Sequence, residues 1–226
     1  MLEASHLKKI YETGSGKVYA LDDVSFSVET GEFVAILGPS GCGKSTLLHI
    51  LGGVDEPTEG EVCLDGNEYT KLLEKEKDAL RRQKIGMIYQ AYNLVPVLNV
   101  EENIVLPVLL DGRNVDQEKL NSLLKLLDLE EERTHLPNQL SGGQQQRTAI
   151  ARAVYQDPNI IPADETTLQS LLYFSGNLDQ KNTEEIVKLF QKMNRQFGLT
   201  IIMVTHDEAI ARQCDRTLYM KDGKIV

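Results

Sequence analysis

Apolar positions along the chain follow two rhythms, and the switches between them mark its elements. "VSFSV", residues 24–28, alternates apolar and polar, the period of a half-buried strand. "EFVAILG", residues 32–38, is almost continuously apolar, which predicts a parallel strand covered on both faces. Straight after it, "GPSGCGKSTLLHILGG" passes from a glycine-rich turn into a helix that stops at Gly52 and Gly53. "EVCLDG" and "KIGMIYQ" are further strand candidates. From about Ala91 to Gln156 the rhythm is helical, most clearly in "QEKLNSLLKLLDL" and "GQQQRTAIARAVYQ". "NIIPADE" returns to strand, and "NTEEIVKLFQKMNRQFG" is an amphipathic helix with a glycine stop. "TIIMVTH", "DEAIARQC" and "RTLYMKDGKIV" read as strand, helix and terminal hairpin. The pattern predicts one α/β domain over 1–226. Its strand-bearing core comprises 1–90 and 157–226, and a helical subdomain is inserted at 91–156.

Composition narrows the partners. With 226 residues the chain can bury a proper core. A net charge of −10 supplies no overall basic footprint, which argues against a nucleic-acid partner. No apolar run approaches the roughly 20 residues that span a bilayer. The stretch "MLEASHLKKIYETG" lacks the apolar core of a signal peptide. Three cysteines without paired spacing imply no disulfide framework. A cytoplasmic protein is expected, and any membrane must come with a partner.

"GPSGCGKS", Gly38 to Ser45, fits the pattern G-x-x-x-x-G-K-[ST]. Glycines let the backbone curl so that successive N–H groups face phosphate oxygens. The helix beginning near Lys44 adds the positive end of its dipole. Lys44 is placed to reach the β- and γ-phosphates, and the Ser45 hydroxyl to ligate Mg²⁺. A second stretch, "LSGGQQQR", also puts a capping hydroxyl and two bare glycines at a helix start. That is either an ordinary capped helix or a second anion-seeking N-terminus, and one nucleotide rarely needs two from one chain.

With these stretches in order, the chain resembles the ATP-binding cassette (ABC) ATPases over nearly its whole length. "GPSGCGKST" matches their Walker A motif, and "LSGGQ" matches their signature. Gln90 stands where the family has its Q-loop glutamine. "TIIMVTHD" matches the strand leading to the switch histidine, here His206. The resemblance implies an α/β fold: a P-loop NTPase core of mainly parallel strands, an N-terminal antiparallel β subdomain and an inserted α-helical subdomain. It implies ATP bound by Gly38, Ser40, Gly41, Cys42, Gly43, Lys44, Ser45 and Thr46. Tyr11 would stack on adenine, with plain surface packing as its other reading. Ser45, Gln90 and Asp164 would attend Mg²⁺, and Glu165, His206 and Gln90 would serve hydrolysis. Two subunits would pair head to tail, with Ser141, Gly142, Gly143 and Gln144 of one facing the ATP of the other.

"GGVDEPTEGEV", "YNLVPVLNVEENIVLPVLL" and "GNLD" are similar to cassettes of the MacB, LolD and FtsE type. The resemblance implies a membrane permease with an extracytoplasmic domain as partner, and a place on the inner face of the cell membrane. The work would be export or extraction, or mechanotransmission of the FtsE kind with no transported substrate. The segment after Gln90 corresponds to the family's permease-docking region. Its Val95, Val97, Leu98 and Val100 read equally well as core of the helical subdomain.

One stretch departs from the family pattern. After Asp164 and Glu165, Thr166 replaces the usual proline, and "LQSLLYFS", residues 168–175, precedes the D-loop "GNLD" with its Asp179. The eight residues extend the following helix or form a short strand packed on the surface, make a partner or assembly contact, or are an engineered or corrupted segment. The extra residues loosen the link to the D-loop, so a chain that binds ATP but hydrolyses it slowly is the alternative, because a small misplacement of catalytic groups is costly. Pro162, which has no N–H for the sheet, predicts fraying of the strand before them.

Overall fold

The computed structural model describes residues 1–14, 16–88, 92–164 and 180–226, and for 164 and 180–186 the backbone alone. Two sheets organise the chain. The first is antiparallel, in the order β2-β1-β4-β5. It comprises β1 (Leu2–Thr13), β2 (Gly16–Val28), β4 (Glu59–Leu64) and β5 (Asn67–Glu68). Val24 and Val28 of β2 are buried while Ser25 and Ser27 face out, the alternation read from the sequence.

The second sheet runs β6-β7-β3-β8-β9. It holds β3 (Phe33–Leu37), β6 (Ile160–Asp164), β7 (Thr200–Thr205), β8 (Arg216–Lys221) and β9 (Lys224–Ile225). β3 lies between β7 and β8, parallel to both, and every residue in it is buried. Its side chains serve two cores in alternation. Val34 and Ile36 join α1 (Lys44–Leu51) and the antiparallel sheet. Phe33, on the other face, joins a cluster shared with the helices. A strand covered on both sides cannot afford polar residues, hence the unbroken apolar run.

The helical stretch contains α3 (Val100–Leu110), α4 (Gln117–Leu126) and α5 (Gly142–Tyr155). Their buried faces share one apolar cluster with Ile161 and Ala163 of β6 and Met203 of β7. α6 (Gln180–Phe197) ends at Gly198, whose φ of +64° supplies the stop expected there. α7 (Glu208–Ala211) is one short turn. The fold is thus the expected α/β P-loop NTPase core with an N-terminal antiparallel sheet and inserted helices. Among the described residues no helix is long and apolar enough to cross a membrane.

Two local expectations change. Pro162 does not fray its strand: β6 stays in parallel register with β7 through Asp164 and Val204. The Pro162 carbonyl accepts from Ile88 N on the side away from β7, so its missing N–H also faces that outer edge. There proline is tolerated. The consequence falls on the strand expected over residues 84–90, of which 89 and 90 lie outside the described residues. Opposite Pro162 the ladder has no donor, and among the described residues the pairing is by isolated bridges, Ile85 to Ile160 and Ile88 to Ala163. The other change is α2 (Glu74–Lys84), a helix with no buried residue. It is fastened by ions and hydrogen bonds, including Lys77 to Glu56 and Arg81 Nη1 to the Gly53 carbonyl at 2.6 Å.

Candidate functional site

Parallel strands deliver three sequence-predicted groups to one edge of the sheet. In register, Leu37 of β3 lies beside Thr205 of β7, and Val204 beside Asp164 of β6. The glycine loop follows β3, His206 follows β7, and Asp164 ends β6. Ligands of open α/β sheets bind at this carboxyl end.

The loop between β3 and α1 is held by backbone on every side. Gly38 N donates to the Thr205 carbonyl at 3.3 Å, and Gly223 N donates to the Cys42 carbonyl at 3.0 Å. A Cβ at Gly38 would sit 2.2 Å from the Met220 carbonyl oxygen. At Gly43 it would sit 2.1 Å from that of Ala20, and Gly43 has a φ of +104°. Only glycine permits both the approach and the left-handed conformation. Ser40 and Gly41 form the exposed tip of the turn, and Cys42 is buried beneath it.

Gly43 is the N-cap of α1, and no side chain caps that helix or places a carboxylate in its first turn. The positive end of α1 therefore points into the loop without an internal counter-charge. Lys44 Nζ donates to the carbonyls of Gly38 and Pro39, each at 2.7 Å. This sets an ammonium inside the curl of the loop. Ser45 and Thr46 follow on the first turn. His206 is exposed and, with Gly38 and Pro39, lines a cavity of about 360 Å³. His206 and the glycine loop thus share a cavity wall.

Tyr11 on β1 stands near α1 as well. Its hydroxyl donates to Asp55 Oδ2 at 2.8 Å. Burial and this bond push its phenol upward, against an opposing pull from the Thr46 side chain. Burial pushes the Asp55 carboxyl up, but hydrogen bonds from Lys9, Tyr11 and the Glu56 amide hold it below the ordinary carboxylate range. Lys9 fell in no motif, and Asp55, within "GGVDEPTEGEV", was given no role at the site. Each becomes visible only once β1 and the turn after α1 are brought together.

The signature lies elsewhere. Ser141 is the exposed N-cap of α5, and its Oγ accepts from Gln144 N at 3.3 Å. Gln144 Oε1 accepts from Ser141 N at 2.8 Å, a reciprocal capping box. Gln144 Nε2 donates to Glu132 Oε1 at 2.7 Å. At the other end of α5, Gln156 Nε2 donates to the Ile85 carbonyl at 2.8 Å. A helix of 14 residues is about 21 Å long, so Ser141 lies far from that anchor on the core.

Gln90, Glu165 and Asp179 lie outside the described residues, as do residues 168–175. Among the described residues no group of three or more His, Cys, Asp or Glu could hold a metal ion. Ser45 and Asp164 are oxygen donors of the kind a hard cation takes together with substrate phosphates and water.

The family model described as ABC transporter matches residues 21–168. The chain belongs to the ABC transporter family. It is an ATP-binding subunit of that family and an ATPase. The uncharacterized ABC transporter ATP-binding protein MJ0796 of Methanocaldococcus jannaschii is 44% identical, over 100% of this chain and 95% of its own length. Lipoprotein-releasing system ATP-binding protein LolD 1 of Chlorobium chlorochromatii is 45% identical, over 91% of this chain and 81% of its own. Macrolide export ATP-binding/permease protein MacB of Bdellovibrio bacteriovorus is 44% identical over 100% of this chain, which spans only 33% of that relative. A solved dimeric structure of the cassette MJ0796, in a post-hydrolysis state bound to ADP and Pi, superimposes with a TM-score of 0.84. It is 41% identical and covers 100% of this chain and 96% of that one.

The apolar residues after Gln90 divide between their two readings. Val100 is buried in the helical cluster, whereas Val97 is 80% exposed. Asn103 secures the loop between them, accepting from Val95 N at 2.8 Å and donating to the Leu98 carbonyl at 2.8 Å. Arg152, which donates to the Asn93 carbonyl at 2.7 Å, lines a groove with Arg81, Arg82, Met87, Leu106 and Leu110.

Proposed function

We propose that this ABC ATPase subunit works as one half of a head-to-tail homodimer on the inner face of the cell membrane, driving export or extraction through a separate permease with an extracytoplasmic domain. The observation that carries the reading is the uncapped start of α1, with the Lys44 ammonium set inside a loop of fixed curvature and His206 on the adjoining strand end. In this reading Gly38 to Thr46 hold the ATP phosphates, and Lys44 exchanges its loop carbonyls for β- and γ-oxygens. Tyr11 carries the adenine. Mg²⁺, held by Ser45 and attended by Asp164 and Gln90, would neutralise charge on the phosphates. Glu165 takes the proton of the attacking water, and His206 contacts the γ-phosphate. Ser141, Gly142, Gly143 and Gln144 receive the partner's γ-phosphate, and Asp179 links the two sites across the dimer. The groove beside Met87 and Leu110, with the exposed Val97, is the face offered to the permease.

The test is a pair of substitutions. Lys44→Ala should weaken ATP binding sharply, because a charge-assisted contact is lost. Glu165→Gln should keep ATP binding yet nearly stop turnover, because the amide cannot accept the proton. Unchanged affinity in the first, or parental turnover in the second, would refute the corresponding assignment.

A further inference from the structure

Tyr11 is tethered by more than the packing of its strand. While its hydroxyl donates to one oxygen of Asp55, the other oxygen accepts from Lys9 Nζ at 2.6 Å. The same ammonium donates to the Glu56 carbonyl at 2.7 Å and lies over the Tyr11 ring, 5.0 Å from its centroid. Lys9 and Tyr11 are two residues apart on β1, which places both side chains on one face of the sheet. Asp55 comes from the turn after α1. There the N–H groups of Val54 and Asp55 both donate to the His49 carbonyl, at 2.8 and 3.2 Å. Asp55 is therefore fixed to the same helix whose first turn carries Lys44 and Ser45.

This cluster differs from a solvated surface pair. The Lys9 side chain is 14% exposed and that of Asp55 is 30% exposed. Partly desolvated, charge-assisted bonds are stronger and more directional than exposed ones. The Tyr11 residue is 40% exposed. With its hydroxyl tied and an ammonium over the ring, its remaining surface is presented to solvent in one orientation. An untethered tyrosine would have to surrender rotamer freedom when a base stacked on it.

We propose that Asp55 and Lys9 are positioning residues for the base of ATP. They set the tilt and height of the Tyr11 ring relative to α1, so that the ring and the phosphate loop grip one nucleotide as a unit. Neither residue touches the base. The proposal rests on the reading of Tyr11 as the adenine platform, and the test keeps the two apart.

Calorimetric titration of Mg-ATP and of Mg-tripolyphosphate, which has no base, decides it. The chains compared are the parent, Tyr11→Ala, Tyr11→Phe, Asp55→Ala and the Tyr11→Phe/Asp55→Ala double variant. Tyr11→Phe keeps the stacking ring and removes the hydroxyl, with its bond to Asp55 and its contact with Thr46, while Asp55→Ala leaves the Thr46 contact in place. It and Asp55→Ala should each weaken ATP by roughly three- to tenfold, the scale of one hydrogen bond used in pre-ordering. Tripolyphosphate affinity should not move, and the double variant should be no weaker than either single one, because both remove the same interaction. If Tyr11→Ala loses ATP affinity while Tyr11→Phe binds like the parent, the tether is overturned and the adenine reading stands. If Tyr11→Ala itself binds ATP like the parent, the adenine reading fails and the tether with it. Should Asp55→Ala also lose tripolyphosphate, its role is structural, and Tyr11→Phe alone decides.

Discussion

The chain has two glycine-rich helix starts, and they are finished in opposite ways. At α1 the N-cap is Gly43, no side chain caps the helix, and the loop before it is shaped by backbone contacts from Ala20, Met220 and Gly223. At α5 the N-cap Ser141 and Gln144 satisfy each other, and Gln144 is further held by Glu132. The first start is rigid and electrostatically incomplete, which suits an anion. The second is complete within the chain, so an incoming phosphate must compete with its own cap. The contrast teaches that the same sequence ingredients, glycines before a helix, make a preformed site in one place and a conditional one in the other. A conditional site suits the proposed contact with a second subunit.

Changing the rigid loop should have the largest effect. Gly43→Ala forces a Cβ against the Ala20 carbonyl in a left-handed conformation. It should cost roughly 2–5 kcal/mol from overpacking and strain and abolish ATP binding. Gly41→Ala, with a φ of +78° but open space around its Cβ, should cost only about 1–2 kcal/mol. Urea denaturation of the two variants checks the difference, and equal losses would contradict a loop fixed by close backbone approach. Next comes Lys44→Ala, which should weaken ATP about 10- to 100-fold by calorimetry while leaving the fold intact.

The capped start should respond differently. Ser141→Ala should lower folding stability by about 1 kcal/mol through loss of the cap. It should leave the ATP affinity of the isolated subunit unchanged. A fall in monomer affinity would place the signature at its own nucleotide and break the contrast.

The smallest effect is a pH dependence at the Tyr11 tether. The Asp55 carboxyl is held below its ordinary value of 3.8. A depressed carboxylate stabilises the fold fully above the unfolded value, and that contribution is lost as pH falls through the lower folded value. The part due to Asp55 should be less than about 1 kcal/mol, given its partial exposure. Asp55→Asn should flatten acid unfolding curves below pH 4 by that amount, and unchanged curves would argue against the tether's electrostatic strength.

How much of this was legible in the sequence depended on range. The β3 strand, the glycine loop and the α1 stop are local patterns, and each is read from consecutive residues. The α5 start is equally local, since a capping box spans four positions. The Tyr11 tether was not legible, because Lys9 and Asp55 meet across 46 residues and no periodicity links them. Helix α2 was hidden for another reason. "EKEKDALRRQK" has only Ala79 and Leu80 as apolar residues, so the apolar rhythm that reveals helices is absent from it. Pro162 was read as a defect because its register was unknown. Whether a missing N–H harms a strand depends on which neighbour it faces, and that is a tertiary fact.

The central claim is that the site on α1 binds ATP within one subunit while the start of α5 acts only across two. Light scattering during size-exclusion chromatography tests it most directly, using the Glu165→Gln chain in saturating Mg-ATP, with and without Ser141→Arg. The account predicts an ATP-dependent dimer for Glu165→Gln and an ATP-saturated monomer once Ser141→Arg is added, since a bulky cation would fill the partner's phosphate contact. An equally abundant dimer with Ser141→Arg, or no dimer from Glu165→Gln at saturating ATP, would contradict it.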